Sequence, residues 1–239
     1  MRSLSIVVPA FNEAASIEQT VAEALAVGAR VTTELEVIVC NDGSRDATGA
    51  LARSTGDPRV RVLDRDANRG IEASMRALYA NARHDWVFLM SADRQWPMTA
   101  LLPMAAAAAQ GADFVIGVRS NKREIYTRYR QLVSWGYERI VRALGAPGGD
   151  PGSIKLARRE LLHAAVASRG VFAEGERVIR AARSGARVVE VPVEFLRRGA
   201  GKATGARRAV VTRALVDALR VASSLRLGWP RPVLPSSEL

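Results

Sequence analysis

Leu4-Ser5-Ile6-Val7-Val8-Pro9-Ala10-Phe11-Asn12-Glu13 passes from an apolar, largely β-branched run to a proline and then to polar residues. Residues 4–8 read as a buried first strand, and the polar residues as the loop at its C-terminal end. The pattern recurs. Residues 35–40 form a second run that stops at Asn41-Asp42-Gly43-Ser44, residues 60–63 a third, and residues 86–90 a fourth that enters Ser91-Ala92-Asp93. Residues 114–118 form a fifth. Between them, residues 16–27, 46–53, 70–82 and 101–110 carry helical spacing, with Ser16 as the expected N-cap of the first. Strands alternating with helices at this pitch predict an α/β fold with a doubly wound, mostly parallel sheet flanked by helices. Ligands in such sheets bind beyond the C-terminal strand ends, where the three polar clusters fall.

Composition narrows the class. The 239 residues are 48% hydrophobic and 25% charged, which is ordinary for a globular chain and too apolar for disorder. A lone Cys40 excludes a disulfide scaffold or thiolate cluster and suits a reducing compartment. No run reaches the roughly 18 apolar residues of a membrane span, and the N-terminus lacks a signal-peptide pattern. The expectation is a cytoplasmic protein. The formal net charge is +11, and residues 177–239 hold 13 basic against 4 acidic residues. That concentration points to anionic partners: ligand phosphates or an anionic membrane surface. Few aromatics interleave with these charges, so nucleic acid is not expected.

Beyond the fifth strand, residues 119–130 are basic and aromatic and read as a mobile loop. Residues 133–144 read as a helix, the Gly- and Pro-rich 145–152 as a loop, and 188–195 as a late strand with Pro192 near an edge. Residues 206–227 read as a basic amphipathic helix. Val211, Ala214, Leu215, Ala218, Ala222 and Leu225 share one side, and Arg207, Arg208, Arg213, Arg220 and Arg226 occupy the rest. Residues 228–239 read as an extended tail. His84 and His163 lie outside every motif and read as structural.

In order, Val8-Pro9-Ala10-Phe11-Asn12-Glu13, Asn41-Asp42-Gly43-Ser44-Arg45-Asp46, Asn68-Arg69-Gly70 and Ser91-Ala92-Asp93-Arg94-Gln95 resemble the motifs of family 2 glycosyltransferases with the GT-A fold. Gly117-Val118-Arg119, Asp150-Pro151-Gly152-Ser153, Glu176, Glu190-Val191-Pro192-Val193 and residues 198–201 resemble the dolichol-phosphate mannose synthase branch. The likeness covers roughly residues 4–205. It implies one GT-A domain over 1–205, followed by the helix of 206–227.

The resemblance implies roles. Pro9, Phe11, Glu13 and Asp42 would surround the nucleoside, the two carboxylates accepting from ribose hydroxyls or a base N–H. Asp42 also reads as an Asx-turn residue that closes its loop. The diphosphate implies Mg²⁺ or Mn²⁺, held in the family by an Asp-x-Asp. Here Ser91-Ala92-Asp93 lacks the first carboxylate, so Asp93 and Gln95 are the metal candidates, with weakened affinity. Asp93 reads alternatively as a turn cap. Arg119 and Arg198 match phosphate-binding arginines, whose guanidinium forks suit phosphoryl oxygens; Lys202 substitutes for a displaced lysine. Asp150 matches an acidic position of the branch and joins Asp93, Arg119 and Arg198 as a catalytic candidate. Glu174 and Glu176 lie near where other members carry a base.

The resemblance implies an inverting glycosyltransferase taking a GDP-, UDP- or dTDP-sugar to a polyprenyl phosphate at a membrane surface, associated peripherally or through a membrane-protein partner. The alternatives are a soluble transferase acting on a small-molecule acceptor and a non-catalytic nucleotide-sugar-binding protein.

Overall fold

In the computed structural model, residues 1–147, 149–196 and 208–226 are described. In chain order they form β1 (Ser3–Ala10), α1 (Ile17–Gly28), β2 (Glu34–Asn41), α2 (Thr48–Arg53), β3 (Val60–Asp64), α3 (Ile71–Asn81), β4 (Trp86–Leu89), α4 (Leu101–Ala109), β5 (Phe114–Arg119), α5 (Lys122–Ile125), α6 (Arg128–Ala143), β6 (Lys155–Arg158), α7 (Arg159–His163), α8 (Ala173–Arg183), β7 (Val188–Val193) and α9 (Arg208–Arg226). The strands make one sheet of order β3-β2-β1-β4-β6-β5-β7. All neighbours are parallel except β6, which runs antiparallel to both β4 and β5.

Strand alternation explains why the runs are apolar throughout. Leu4, Ile6 and Val8 of β1 join a core beneath α1 and α4, while Val7 joins a second core with Met75 and Leu78 of α3 and Val178 and Ile179 of α8. A parallel sheet covered on both faces needs apolar residues at both parities. β1 pairs with β2 on one side and β4 on the other. The chain order reverses there, so the switch-point crevice lies between residues 9–13 and 91–93.

Several elements depart from expectation. Residues 119–130 are not a single loop: β5 extends to Arg119, α5 follows, and α6 starts at Arg128, with the Thr127 hydroxyl accepting from the Arg130 amide as N-cap. No strand was expected at β6, because a four-residue element bounded by Lys155 and Arg158 carries no apolar run. No helix was expected at α8, yet Glu174, Glu176, Arg177 and Arg180 are all buried on it. Those four charges pair with one another, which lets them pack as core.

The expected C-terminal helix is present as α9; residues 206, 207 and 227–239, with the predicted tail, lie outside the described residues. α9 buries Asp217, Ala218, Val221 and Ser224 against the domain. Asp217 accepts from the Arg169 amide at 3.2 Å and from Arg220 at 2.8 Å, and Ser224 accepts from Arg180 at 3.0 Å. Leu215, on the same apolar side as the buried Ala218, is half exposed alongside Val216 and Leu219. Polar anchors at 217 and 224 set the helix rotation, leaving this second apolar face outward.

Candidate active site

At the end of β1 the chain turns through Asn12 at φ 55°. The turn is tied to the loop after β2: the Asn12 amide donates to Ser44 Oγ at 3.0 Å, the Glu13 amide to Thr48 Oγ1 at 2.8 Å and the Ala14 amide to Asp46 at 3.2 Å. Asn12 Oδ1 accepts from the Arg45 amide at 2.9 Å. Phe11 is left exposed at the rim. Glu13 Oε2 accepts from the Ser16 hydroxyl at 3.2 Å, so the expected N-cap serine serves Glu13 rather than its own helix.

Asp42 is buried. It accepts from the Arg69 and Gly70 amides at 3.1 and 2.8 Å and from Arg65 at 3.1 Å, which anchors the loop of residues 65–70. The Asn68-Arg69-Gly70 motif is therefore the strap over Asp42. Gly43, at φ 69°, passes the backbone of Ala67 and Asn68 so closely that a Cβ would lie 2.5 Å from a carbonyl carbon.

Across the crevice, the Ser91 hydroxyl donates to Asp93 Oδ1 at 2.7 Å, and the Gln95 amide donates to the same oxygen at 3.2 Å. The intervening Arg94 sits at φ 55° and is strapped to α1 through Gln19 at 2.6 Å and Glu23 at 2.8 Å. Gln95 is tied to Leu196 in both directions. Among the described residues no three His, Cys, Asp or Glu side chains gather as a metal cluster. One carboxylate beside an amide side chain still fits Mg²⁺ or Mn²⁺, which keep waters and take much of their coordination from substrate phosphates.

The 91–96 loop leads directly to Arg119. Its guanidinium lies 4.6 Å from the Trp96 ring and 4.3 Å from the Phe195 ring, and Tyr126 stacks between Arg119 (5.8 Å) and Arg130 (3.9 Å). Arg119 pairs with Asp150 at 2.5 Å, while its buried Nε has no hydrogen-bond partner among the described residues. Lys122 bridges Asp150 and Glu138.

Arg119, Arg130 and Asp150 form the polar part of a cavity of about 420 Å³. Its apolar walls come from α6 (Val133, Ile140) and α9 (Val211, Leu215), with Ile71 and Val171 at the rim. Glu174 also lines it. Burial pushes the Glu174 carboxyl up, but the Lys155 and Arg177 charges and hydrogen bonds from Lys155 and Tyr79 outweigh this and hold it below the usual carboxylate range. Glu176 is elsewhere, accepting from the Ala167 and Ser168 amides and from Arg180. It is an architectural residue, not a cavity residue.

Pro9, Phe11, Glu13, Asp42, Ser91, Ala92, Asp93 and Gln95 thus lie on adjacent strand-end loops, and Arg119 and Asp150 stand together beyond them. Arg198 and Lys202 lie outside the described residues. Arg130 was missed as an individual residue, although it belongs to the basic, aromatic run already noted at 119–130.

These loops gather polar residues at the adjacent strand ends of a switch point, the place where α/β domains bind ligands. The model of glycosyl transferase family 2 matches residues 5–165, and the chain belongs to that family. It is 31% identical over 217 residues to an undecaprenyl-phosphate mannosyltransferase of Micrococcus luteus, covering 84% of this chain and 86% of the relative. It is 28% identical over 172 residues to an undecaprenyl-phosphate 4-deoxy-4-formamido-L-arabinose transferase of Pseudomonas paraeruginosa, covering 70% of this chain but only 50% of that longer relative. Among solved structures, the glucosyl-3-phosphoglycerate synthase of Mycobacterium tuberculosis with Mn²⁺, UDP-glucose and phosphoglyceric acid superposes with a TM-score of 0.73 at 20% identity, covering 93% of this chain and 80% of that one. The fold is GT-A.

Proposed function

We propose that the chain is an inverting transferase that moves a sugar from a nucleotide-sugar donor to the phosphate of a polyprenyl phosphate at an anionic membrane surface. The carrying observation is the cavity with apolar walls on α6 and α9 and a polar part built on Arg119 and Arg130. A lipid phosphate has that same division between chain and headgroup. The undecaprenyl-phosphate acceptors in the relatives' names support the reading.

In this reading Pro9, Phe11, Glu13 and Asp42 enclose the nucleoside, Ser91 and Ala92 border the diphosphate, and Asp93 with Gln95 holds Mg²⁺ or Mn²⁺. The cation, when bound, neutralises the diphosphate leaving group. Arg119, its Nε without a partner among the described residues and its fork oriented by Asp150, receives the acceptor phosphate together with Arg130. Arg198 and Lys202 join the phosphate-binding set. A phosphate oxygen is already anionic, so its attack on the anomeric carbon needs no general base. That agrees with both cavity carboxylates, Asp150 and Glu174, being tied to cations.

The catalytic unit is residues 1–205, and α9 beyond it is an interfacial helix. Among the described residues no helix is long and apolar enough to cross a membrane. Leu132 and Trp135 of α6 and Leu219 of α9 are strongly exposed, with Arg139 of α6 over the Trp135 ring. These faces lie on the cytoplasmic leaflet, arginines toward headgroups. The test offers GDP-, UDP- and dTDP-sugars with Mn²⁺, with and without polyprenyl phosphate. Sugar appearing on the lipid in one donor lane is expected. Transfer only to soluble acceptors, or donor binding without transfer, overturns the reading.

A further inference from the structure

A second concave surface lies along α3, beside the loop that straps Asp42. It encloses about 420 Å³ between the loop of residues 65–69, α3 and Arg169. Arg65, Arg69, Arg76 and Arg169 converge on it, and Glu72 is the one acid in its lining. Ala73, Ala77 and Ala80 complete its lining.

The charge there is not cancelled internally. Arg65 is committed to Asp42 and to the Ala73 carbonyl. Glu72 is shared between Arg76 at 3.3 Å and the buried Arg177 at 3.4 Å. The side chains of Arg69 and Arg169 make no hydrogen bond or ion pair with other described residues; only their backbone amides are engaged, on Asp42 and Asp217. Three guanidiniums with spare donors facing one concavity suit the oxygens of a phosphate group, which accept paired N–H bonds.

The setting points to the source of that phosphate. The groove and the apolar cavity share one wall. Ile71 and Glu72 are neighbours on the first turn of α3, the first lining the cavity and the second the groove. On the opposite side Arg169 lines the groove and Val171 the cavity. Ile71 and Val171 are 49% and 42% exposed, so an apolar ledge borders the basic groove. We propose that this groove binds the phosphate of an anionic phospholipid headgroup, whose acyl chains lie over that ledge and seat the cavity mouth against the leaflet. The inference rests on the membrane-surface reading above, and it adds a lipid site distinct from the acceptor's.

The test compares the full chain with the Arg76→Gln/Arg169→Gln variant, which leaves the strap over Asp42 intact, and with an Arg2→Gln/Arg30→Gln control that loses the same charge elsewhere. Sedimentation with phosphatidylcholine vesicles, with and without phosphatidylglycerol, reads binding. The groove variant is expected to lose phosphatidylglycerol-dependent binding by about fivefold per arginine, while the control stays near the parent chain. Equal losses in both variants, or none in the groove variant, overturn the proposal. Complete displacement by inorganic phosphate at matched ionic strength also overturns the lipid assignment, in favour of a free-phosphate site. Turnover of a detergent-dispersed short-chain polyprenyl phosphate is measured in parallel. It should persist in the groove variant, and its absence in the parent chain would count against the transferase reading alone.

Discussion

Arg119 and Asp150 hold one another at the end of β5: the guanidinium lies 2.5 Å from Oδ1, and the Arg119 amide donates to Oδ2 at 3.2 Å. Asp150 does this from φ 60°, a region that L residues other than Asn and Asp seldom occupy. The pair orients a guanidinium that three aromatic rings already surround.

Removing the fork should cost more than removing its orienter. Arg119→Ala is expected to lower kcat/KM for a lipid-phosphate acceptor by roughly 2–4 kcal/mol in transition-state stabilisation. Asp150→Asn, which keeps the turn, should leave measurable turnover. A folded, donor-binding Asp150→Asn protein with no turnover would indicate a hydroxyl acceptor that needs a base.

Ser91 stands where the family carries a carboxylate, and its hydroxyl donates to Asp93. Ser91→Asp is expected to lower the Mg²⁺ or Mn²⁺ concentration required for activity, since carboxylate charge dominates the binding of hard cations. Asp93→Ala should abolish metal-dependent donor binding. Calorimetry with and without EDTA reads both; tight donor binding in EDTA that Asp93→Ala leaves unchanged would remove Asp93 from the metal site.

Glu174 is buried between Lys155 and Arg177. Glu174→Gln leaves both cations without their shared anion and should destabilise the fold by about 3–5 kcal/mol in urea unfolding at neutral pH. Because its folded pKa is depressed, the carboxylate's contribution is present above its unfolded value, about 4.3, and is lost as pH falls through the lower folded value. The gap between parent and variant should therefore narrow on acidification. A gap independent of pH would contradict the ion-pair account.

The proposed seating on a membrane surface rests on the outward apolar faces of both α6 and α9. Vesicle sedimentation should be salt-sensitive, falling when Arg207, Arg208, Arg213 and Arg220 become Gln, and falling again with Leu132→Gln/Trp135→Gln. Indifference to anionic vesicles at low salt would leave a soluble acceptor as the better reading.

Gly43→Ala should weaken donor binding and stability together. The added Cβ meets the backbone of the strap over Asp42, which no side-chain rotation relieves, and φ 69° adds about 1 kcal/mol. A variant with parental melting temperature and donor affinity would show that the strap can move.

The strand-end loops at 9–13, 41–44 and 91–95 were legible because their signals are local: an apolar run buried on both faces, then turn residues. Length and order alone place such runs in one sheet, and their C-terminal ends become a site. Arg130 and the apolar cavity were not legible, since they depend on how α6 and α9 pack. The same holds for β6, whose four residues carry Lys155 into the core only because Glu174 meets it there.

Glu174 and Glu176 mark the boundary most clearly. In sequence they are equivalent, two acids in one polar stretch. On α8 they are separated by roughly 200° of rotation, so Glu174 lines the cavity and accepts from Lys155, while Glu176 accepts from the amides of residues 167–168. Residue type determined that both carboxylates, once buried, would require cations and amides around them. Only the packing of α8 between β6 and α9 decided which one lines the cavity, because helix rotation is set by contacts with distant segments that no local pattern encodes.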